Sequence, residues 1–279
     1  MAFSTGSRIN TNIAAYNALN ALNAINREVG VHQLRLATGK RVNSAADDAS
    51  GYVISKKMEG RSRSLSAAVN NVGDAQSVLG VAEGGYQTVA DLLVQIKDKQ
   101  VRASDGAFGA DEKDAIAAEI NKLMSEIDDI NGQTKFNGQV LFKKDGAAAA
   151  YSASFQVGEA SAESMTLSFT ATTGATSLLG VAAGSVTSAN ISTLTVDTAL
   201  TTVNAEIGSI GAQMNRLSVK ESNLNTAITN TDAAKSRIMD ADIAAEQISA
   251  VKLQILQQTA TAQLAQANSN PQVFLSLFR

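Results

Sequence analysis

The sequence predicts a mainly α-helical protein, with a long coiled-coil-like helical bundle formed from both chain ends and a small β-hairpin region in the middle. Near each end, apolar residues recur at alternating steps of three and four, which places them on one narrow side of a helix. Of the 279 residues, 44% are hydrophobic but only 4% aromatic, and Pro271 is the single proline. Helices can therefore run well beyond the average of about 11 to 12 residues.

The first helix is predicted from an apolar row that we name the N-terminal stripe. It consists of Ala15, Ala18, Leu22, Ile25, Val29, His32 and Leu36. The polar residues 38–48, which include glycine and asparagine, interrupt the pattern and are interpreted as a turn or extended connector. The helical period resumes at Met58 and lasts to Ile96. It predicts a helix over about residues 58–100, roughly 60 Å long.

A shorter helix and two turns are predicted in the middle part of the chain. Asp111 is the predicted N-cap of the shorter helix. The Asn137-Gly138 pair indicates a tight turn. Two runs then alternate between apolar and polar residues, which predicts a hairpin with its turn near residues 158–164. The apolar positions of these runs are Tyr151, Ala153, Phe155 and Val157, then Met165, Leu167 and Phe169.

The last third of the chain is predicted to be helical again. Residues 170–195 are rich in Ser, Thr, Ala and Gly and are expected to form loops and short strands. Apolar positions from Leu200 to Ile228 then predict a second long helix that reaches about residue 235. The final helix carries a second apolar row, the C-terminal stripe, formed by Ile248, Val251, Ile255, Gln258, Ala262 and Ala265. We expect the two terminal helices to pair with each other or with other subunits.

Composition argues against several classes of function. The chain has no cysteine, which excludes thiolate sites and disulfides, and a single histidine, His32, which excludes catalytic or metal motifs that need more than one histidine or a second ring. Its net charge is -3. Nucleic acid binders usually carry a basic face, so no nucleic acid partner is expected. Neither a membrane-spanning apolar run nor a cleaved secretory signal is recognisable. We predict no enzymatic activity, no cofactor, no metal, no membrane insertion, and either a cytosolic location or export without a cleaved signal.

Two pairs of carboxylates are the remaining candidate sites. Asp47-Asp48 and Asp240-Ala241-Asp242 could in principle serve acid/base or Ca²⁺ chemistry. Basic residues lie near each pair, so structural ion pairs or helix caps are favoured. The predicted connector and ion-pair residues are Arg41, Asn43, Asp47, Asp48, Arg237, Asp240 and Asp242.

Several local runs resemble bacterial flagellin and follow one another in that family's order. They are residues 9–13, 35–51, 133–138, 236–242, 255–260 and 264–268, which read INTNI, RLATGKRVNSAADDASG, QTKFNG, SRIMDAD, ILQQTA and LAQAN. Together they fall within about the first 142 and the last 80 residues. The resemblance implies a structural subunit that polymerises into the bacterial flagellar filament for swimming motility.

The resemblance also implies a division of the chain between an inner tube, a surrounding helical layer and an outer surface. The segments are 1–44, the N-terminal inner-tube helix and connector; 45–142, the N-terminal part of the outer-tube domain; 143–195, a short β-rich surface region; 196–235, the C-terminal part of the outer-tube domain; and 236–279, the C-terminal inner-tube helix. The predicted subunit-interface residues are Leu22, Ile25, Val29, His32, Leu36, Ile248, Val251, Ile255, Leu256 and Leu264. Because residues 143–195 lie away from both stripes and have a loop-like composition, we expect them to be dispensable for assembly, so that deletion of residues 158–195 still gives filaments.

Partners and location follow from the same resemblance. It implies export in an unfolded state through the flagellar type III apparatus, with a chaperone bound to the C-terminal segment, and an extracellular location in the flagellum. Its partners would be copies of itself and the hook-associated junction and cap proteins. One alternative is a hook-filament junction protein. The other is a coiled-coil signalling module such as a chemoreceptor-like helical hairpin, whose helices would meet at a central tip where this sequence predicts β-structure.

One segment departs from the pattern of many flagellins. In those proteins the segment bound by the innate immune receptor Toll-like receptor five carries an Arg-x-Arg-Glu-Leu run in the long helix. Here the matching receptor segment is Gln95, Ile96, Lys97, Asp98 and Lys99. The first arginine is replaced by glutamine and the leucine by lysine, which argues against recognition by this receptor.

Overall fold

The computed structural model of the chain describes residues 11–142, 151–169 and 174–276, the side chains of residues 271–276 excepted. Within these ranges the chain forms six α-helices, one 3-10 helix and four short strands, which confirms the predicted fold class. The elements are α1 (Ile13–Thr38), α2 (Ala49–Ala103), α3 (Ala110–Gln133), β1 (Lys135–Phe136), β2 (Gln139–Val140), β3 (Ser152–Gln156), β4 (Ser164–Ser168), α4 (Ala175–Leu179), the 3-10 helix (Ile191–Thr193), α5 (Val196–Met239) and α6 (Ile243–Ser276).

The chain divides into two compact units. Unit 1 comprises the described residues of Met1–Gly60 and Asn230–Arg279, and therefore contains α1 and α6. Unit 2 comprises the described residues of Arg61–Thr229 and contains both hairpins, α3 and α4. The long helices α2 and α5 contribute residues to both units.

The core of unit 2 is built along one side of α2. Apolar residues of this helix from Leu65 to Ile96, at steps of three and four, are buried in one cluster with side chains of α3 and α5. The ring of Tyr86 lies 4.4 Å from that of Phe142, centroid to centroid. The regular apolar period of α2 is thus the pattern of a helix whose inner side is covered along its whole length in unit 2.

Two helix starts differ from the sequence-based expectation. Helix α2 begins at Ala49 rather than near residue 58, because Asp48 caps it: its Oδ1 accepts the backbone N–H of Gly51 at 2.9 Å. The prediction that Asp111 caps α3 is wrong, since the N-cap is Gly109 and Asp111 lies in the first turn. A carboxylate in the first turn still interacts favourably with the positive end of the helix dipole.

Both predicted turns are confirmed. Asn137 and Gly138 join β1 to β2, with φ angles of 48° and 80°, the left-handed conformation that a two-residue hairpin turn requires at both positions. Strands β3 and β4 pair antiparallel, with Ala153 opposite Leu167 and Phe155 opposite Met165. The alternation seen in the sequence therefore corresponds to real cross-strand neighbours.

The prediction of short strands within residues 170–195 is wrong for the described part, residues 174–195. These residues form α4, a 3-10 helix and connecting turns. Asn121 of α3 holds one of the turns, since its Oδ1 accepts the N–H groups of Gly184 and Val186 at 3.0 and 3.1 Å. Side-chain hydrogen bonds to the backbone replace strand pairing here.

The described residues of 158–195 contribute side chains to the core of unit 2, so the premise that this region has only the character of a surface loop is wrong. Leu167, Leu179 and Ile191 are buried in the cluster that contains the α2 side chains. The buried Gln100 of α2 donates to the carbonyl oxygens of Ile191 at 3.2 Å and Leu194 at 3.0 Å. Removing the region would expose this core and leave a buried amide without its acceptors.

Candidate functional site

The candidate site is the surface of the α1 and α6 pair in unit 1. Two contacts show that these helices run antiparallel: Asn12 Nδ2 donates to the carbonyl oxygen of Ala267 at 2.7 Å, and Arg35 Nη1 donates to Glu246 Oε1 at 3.3 Å. The start of α1 therefore lies beside the end of α6, and the end of α1 beside the start of α6. The two chain ends pair with each other, as one of the two expected arrangements requires.

The N-terminal stripe lies on the side of α1 that faces α6. Val29 is buried, and the other stripe residues are half-buried. The facing row of α6 keeps the same steps of four and three and consists of Glu246, Ala250, Leu253, Gln257, Ala260, Leu264 and Ala267. The predicted interface residues on this contact side are Leu22, Ile25, Val29, His32, Leu36 and Leu264. Within one chain they pack between α1 and α6.

The other predicted interface residues lie on exposed sides of α6. Ile248 is 70% exposed, Ile255 58% and Val251 44%, and these steps of three and four place them in one row. At 100° per residue, Ile255 points about 200° around the helix from Leu253, which is buried on the α1 side. Leu256 is also exposed. We name Ile248, Val251 and Ile255 the exposed α6 row.

Sequence reasoning missed the row of α6 that faces α1. That row contains Ala250, Ala260 and Ala267, whose apolar signal is weaker than that of the isoleucines on the opposite side. The signal that could have found it is spacing, because the α1-facing positions of α6 repeat the steps of the N-terminal stripe.

A charged cluster lies within the helix pair. The carboxylate of Glu246 contacts His32 Nδ1 through Oε2 and Arg35 through Oε1, and only 12% of this side chain is exposed. The half-buried carboxylate is therefore compensated by a guanidinium from the other helix. His32 takes part in packing and hydrogen bonding of the pair.

The segments that follow α1 and precede α6 are tied together by backbone hydrogen bonds. Lys40 and Asp240 form an antiparallel bridge, and the Arg41 N–H donates to the carbonyl oxygen of Met239 at 2.6 Å. The guanidinium of Arg41 donates to the carbonyl oxygen of Ile238 at 2.8 Å. The predicted connector residues Arg41 and Asp240 are therefore brought together by main-chain pairing.

Two of the predicted connector carboxylates cap helices, and a third holds the backbone of the connector itself. Asp47 accepts the backbone N–H groups of Ser44 at 2.8 Å and Asn43 at 3.0 Å, and these bonds hold the pKa of Asp47 below its ordinary value. Asp242 Oδ1 accepts the N–H of Ala244 at 3.0 Å and so caps α6. Asp48 caps α2 in the same way.

Arg237 completes the predicted connector set, and the structure places it on the surface. It lies in the last turn of α5 and is exposed, and no carboxylate pairs with it in the part of the chain that the structure describes. Its positive charge is favourable there, near the negative end of the helix dipole. Among the predicted connector residues, Asp48 and Asp242 therefore act as helix caps, and Asp47 binds the backbone of the connector.

The receptor segment lies on α2, within unit 2, and its side chains divide between the interior and the surface. Ile96 is buried, whereas Gln95 and Asp98 are exposed. Lys97 Nζ forms an ion pair with Asp197 at 2.6 Å. Lys99 pairs with Glu119 and lowers the pKa of that carboxyl. Both lysines are thus held by neighbouring helices of the same unit.

Two kinds of feature are absent from the described residues. Among them, no group of three or more His, Cys, Asp or Glu side chains could hold a metal ion. None of the described helices combines the length and the apolar character needed to cross a membrane.

Comparison with known protein families identifies the family to which the chain belongs. The model of the bacterial flagellin N-terminal helical region matches residues 9–147, and that of the C-terminal helical region matches residues 193–278. The chain belongs to the bacterial flagellin family. The two matches contain the paired helices α1 and α6 with their connectors, and the resemblance found in the sequence is confirmed.

Individual relatives are similar over nearly the whole chain. The flagellin of Bacillus subtilis is 35% identical over 306 aligned residues, covering 98% of this chain and 100% of the relative. The flagellar filament 33 kDa core protein of Treponema phagedenis is 34% identical over 285 residues, covering 97% and 99%. A flagellar hook-associated protein of Vibrio parahaemolyticus has a TM-score of 0.56 at 14% identity, covering 70% of this chain and 100% of that chain. This last likeness shows the fold alone.

Proposed function

We propose that this flagellin is a structural subunit that polymerises with copies of itself into the bacterial flagellar filament for swimming motility. The observation that carries the proposal is the exposed α6 row. Ile248, Val251 and Ile255 form a regular apolar row that the α1 contact leaves uncovered. Contiguous exposed apolar surface of this kind is typical of protein interaction sites. Membership of a structural protein family and relatives named as filament core proteins support the same function.

Burial of the exposed α6 row against another subunit would stabilise a polymer. Full burial of an isoleucine side chain contributes about 1.5–3 kcal/mol, so covering the exposed part of Ile248 or Ile255 contributes on the order of 1–2 kcal/mol each. A repeated contact adds this term for every subunit. The exposed Tyr16 and Leu34 of α1 add further apolar surface to the pair.

The proposed arrangement places the α1 and α6 pair, within residues 1–44 and 236–279, in an inner tube. Residues 45–142 and 196–235 would form the surrounding layer, and 143–195 would face outward from it. The antiparallel pairing of α1 with α6 supports the first assignment, because it joins the two terminal segments into one element. Buried side chains within 151–169 and 174–195 share one cluster with those of α2, α3 and α5, which supports attachment of this region to the proposed surrounding layer.

Export and partners complete the proposal. The subunit would leave the cell unfolded through the flagellar type III apparatus, without a cleaved signal, and work outside the cell as part of the flagellum. A chaperone bound to the C-terminal segment would cover the exposed α6 row before assembly. The ends of the polymer would contact the hook-associated junction and cap proteins, and the role is structural rather than enzymatic.

Seeded polymerisation tests the proposal. Purified chain added to short filament fragments should lengthen them into micrometre filaments visible by electron microscopy. A chain truncated after Asp242, which lacks α6, is the control and should leave the fragments at their starting length. Full-length chain that stays folded and monomeric in the presence of seeds would contradict the proposed function.

A further inference from the structure

A row of aspartates and valines covers an exposed side of α2 in unit 2. Asp91, Val94, Asp98 and Val101 follow one another at steps of three, four and three, which places them on one side of the helix. Val94 is 49% exposed and Val101 60% exposed. In the described part of the chain, neither Asp91 nor Asp98 forms an ion pair or side-chain hydrogen bond. We name these four residues the acidic α2 row.

A groove of opposite character lies between the β3–β4 turn and α5. It has a volume of ≈ 510 Å³, most of the surface that lines it is apolar, and its lining includes Val157, Met165 and Val219. Val219 is 63% exposed and lies between Arg216 and Lys220 on α5. We name this depression the basic α5 groove.

The charges around each surface leave a net difference. Arg216 and Lys220 lack an ion-pair partner among the described residues. Glu163 also lines the basic α5 groove, and its carboxylate accepts the backbone N–H of Ala160 at 3.3 Å. Beside the acidic α2 row, Arg102 follows Asp98 by four residues and partly offsets its charge. The basic α5 groove therefore carries two cations and one carboxylate, whereas the acidic α2 row together with Arg102 carries two carboxylates and one cation.

The two surfaces cannot meet within one copy of unit 2. Helices α2 and α5 run antiparallel there: Lys97 pairs with Asp197, and Gln76 donates to Glu221 at 3.4 Å. Asp98 therefore lies at the level of residue 197, and Lys220 at the level of residue 76. These levels are about 33 Å apart at 1.5 Å per residue. Contact between the surfaces needs a second copy displaced along the helix axis.

We propose that the acidic α2 row of one subunit docks in the basic α5 groove of a second copy of this chain. The proposal rests on the proposed filament function and names a contact for unit 2 separate from the exposed α6 row. Its ion pairs would join Asp91 and Asp98 to Arg216 and Lys220. The exposed valines of both surfaces would be buried between these pairs. Because the two patches differ, the contact is heterologous and extends into an open helical polymer.

Charge exchange in the full chain tests the contact. The variants are Asp98→Lys, Lys220→Asp and the double variant that carries both, measured by seeded filament growth at low and at physiological salt. Glu126→Lys, an exposed charge reversal on α3, is the matched control. Circular dichroism of each monomer checks that unit 2 is folded. If a charge reversal prevents folding, the neutral variant at that position, Asp98→Asn or Lys220→Gln, takes its place.

We expect each single reversal to slow growth roughly tenfold or more, because attraction between the surfaces becomes repulsion. The double variant should recover most of the rate, the control should grow like the wild type, and salt should narrow the differences. Single reversals that grow at the wild-type rate, or a double variant no faster than the singles, would overturn the contact. If the wild-type chain grows normally, such results contradict the contact but not the proposed filament function. A wild-type chain that never grows from seeds contradicts both the contact and the filament function.

Discussion

Two adjacent glycines of α2 should respond in opposite directions to the same substitution. At Gly84 no atom lies within 4 Å of the position that a Cβ would take. At Gly85 the added Cβ would lie 2.5 Å from Cε2 and 2.7 Å from Cζ of Phe142, and 3.0 Å from Cγ2 of Thr134. The two positions share a helix and a residue type, so they differ in tertiary packing alone.

The expected magnitudes follow from this difference. Alanine is about 0.5–1 kcal/mol more favourable than glycine within a helix, so Gly84→Ala should raise the free energy of unfolding by that amount. Gly85→Ala has the same helix gain, but it must displace the ring of Phe142, which is 4% exposed and packs on Tyr86. Overpacking of a filled core costs about 1–3 kcal/mol, so after the helix gain the net effect should be a loss of up to about 2.5 kcal/mol.

Urea unfolding followed by circular dichroism measures both variants against the wild type. Gly84→Ala should move the midpoint of the unit 2 transition to higher urea, and Gly85→Ala to lower urea, with the slope unchanged. A Gly85→Ala variant that is stabilised as much as Gly84→Ala would refute the close packing of Phe142 on α2.

Three further predictions concern the terminal pair, the connector and the outward region. Amides of residues 13–36 should exchange quickly in the monomer and slowly in filaments by hydrogen exchange, since the α1–α6 contact buries few large side chains, and strong protection in the monomer would count against this. The pKa of Asp47 is lowered from 3.8 by hydrogen bonds from Ser44 and Asn43, so the stabilising effect of this carboxylate is present above pH 3.8 and is lost as the pH falls through the lowered pKa. The NMR shift of the Ser44 amide should follow that titration, and the Asp47→Asn variant should show no such pH-dependent change. Deleting residues 158–195 should unfold unit 2, so a deletion variant with native circular dichroism would show that the buried side chains of this region are not needed.

The long helices and the tight turns could be predicted from the sequence because local chemistry determines them. The row from Leu65 to Ile96 has one period throughout, and the Asn137-Gly138 pair supplies two left-handed positions. For the terminal helices the sequence leaves two arrangements open, pairing with each other or with other subunits, since an apolar stripe indicates that a helix is covered but not by which partner. Only the contacts of α1 with α6 decide between them.

The remaining features depend on tertiary contacts that a single sequence does not display. The α1-facing row of α6 is dominated by small residues such as Ala250, so the stronger signal of Ile255 on the opposite side masked it. Leu179 and Ile191 lie in a Ser/Thr-rich stretch without a period, yet both are buried against the rest of unit 2. Their burial could not be predicted, because it arises from packing against distant helices.

Seeded growth of Ile255→Asp filaments tests most directly whether the exposed α6 row builds the polymer. In the monomer this side chain is exposed, so the variant should keep wild-type circular dichroism. In an assembled contact the carboxylate would be buried without a partner at a cost of several kcal/mol per subunit, and growth from seeds should stop. Ile255→Leu, which keeps an apolar side chain of equal size, should grow like the wild type. Filaments of normal length from Ile255→Asp would contradict the assignment of this row to subunit assembly.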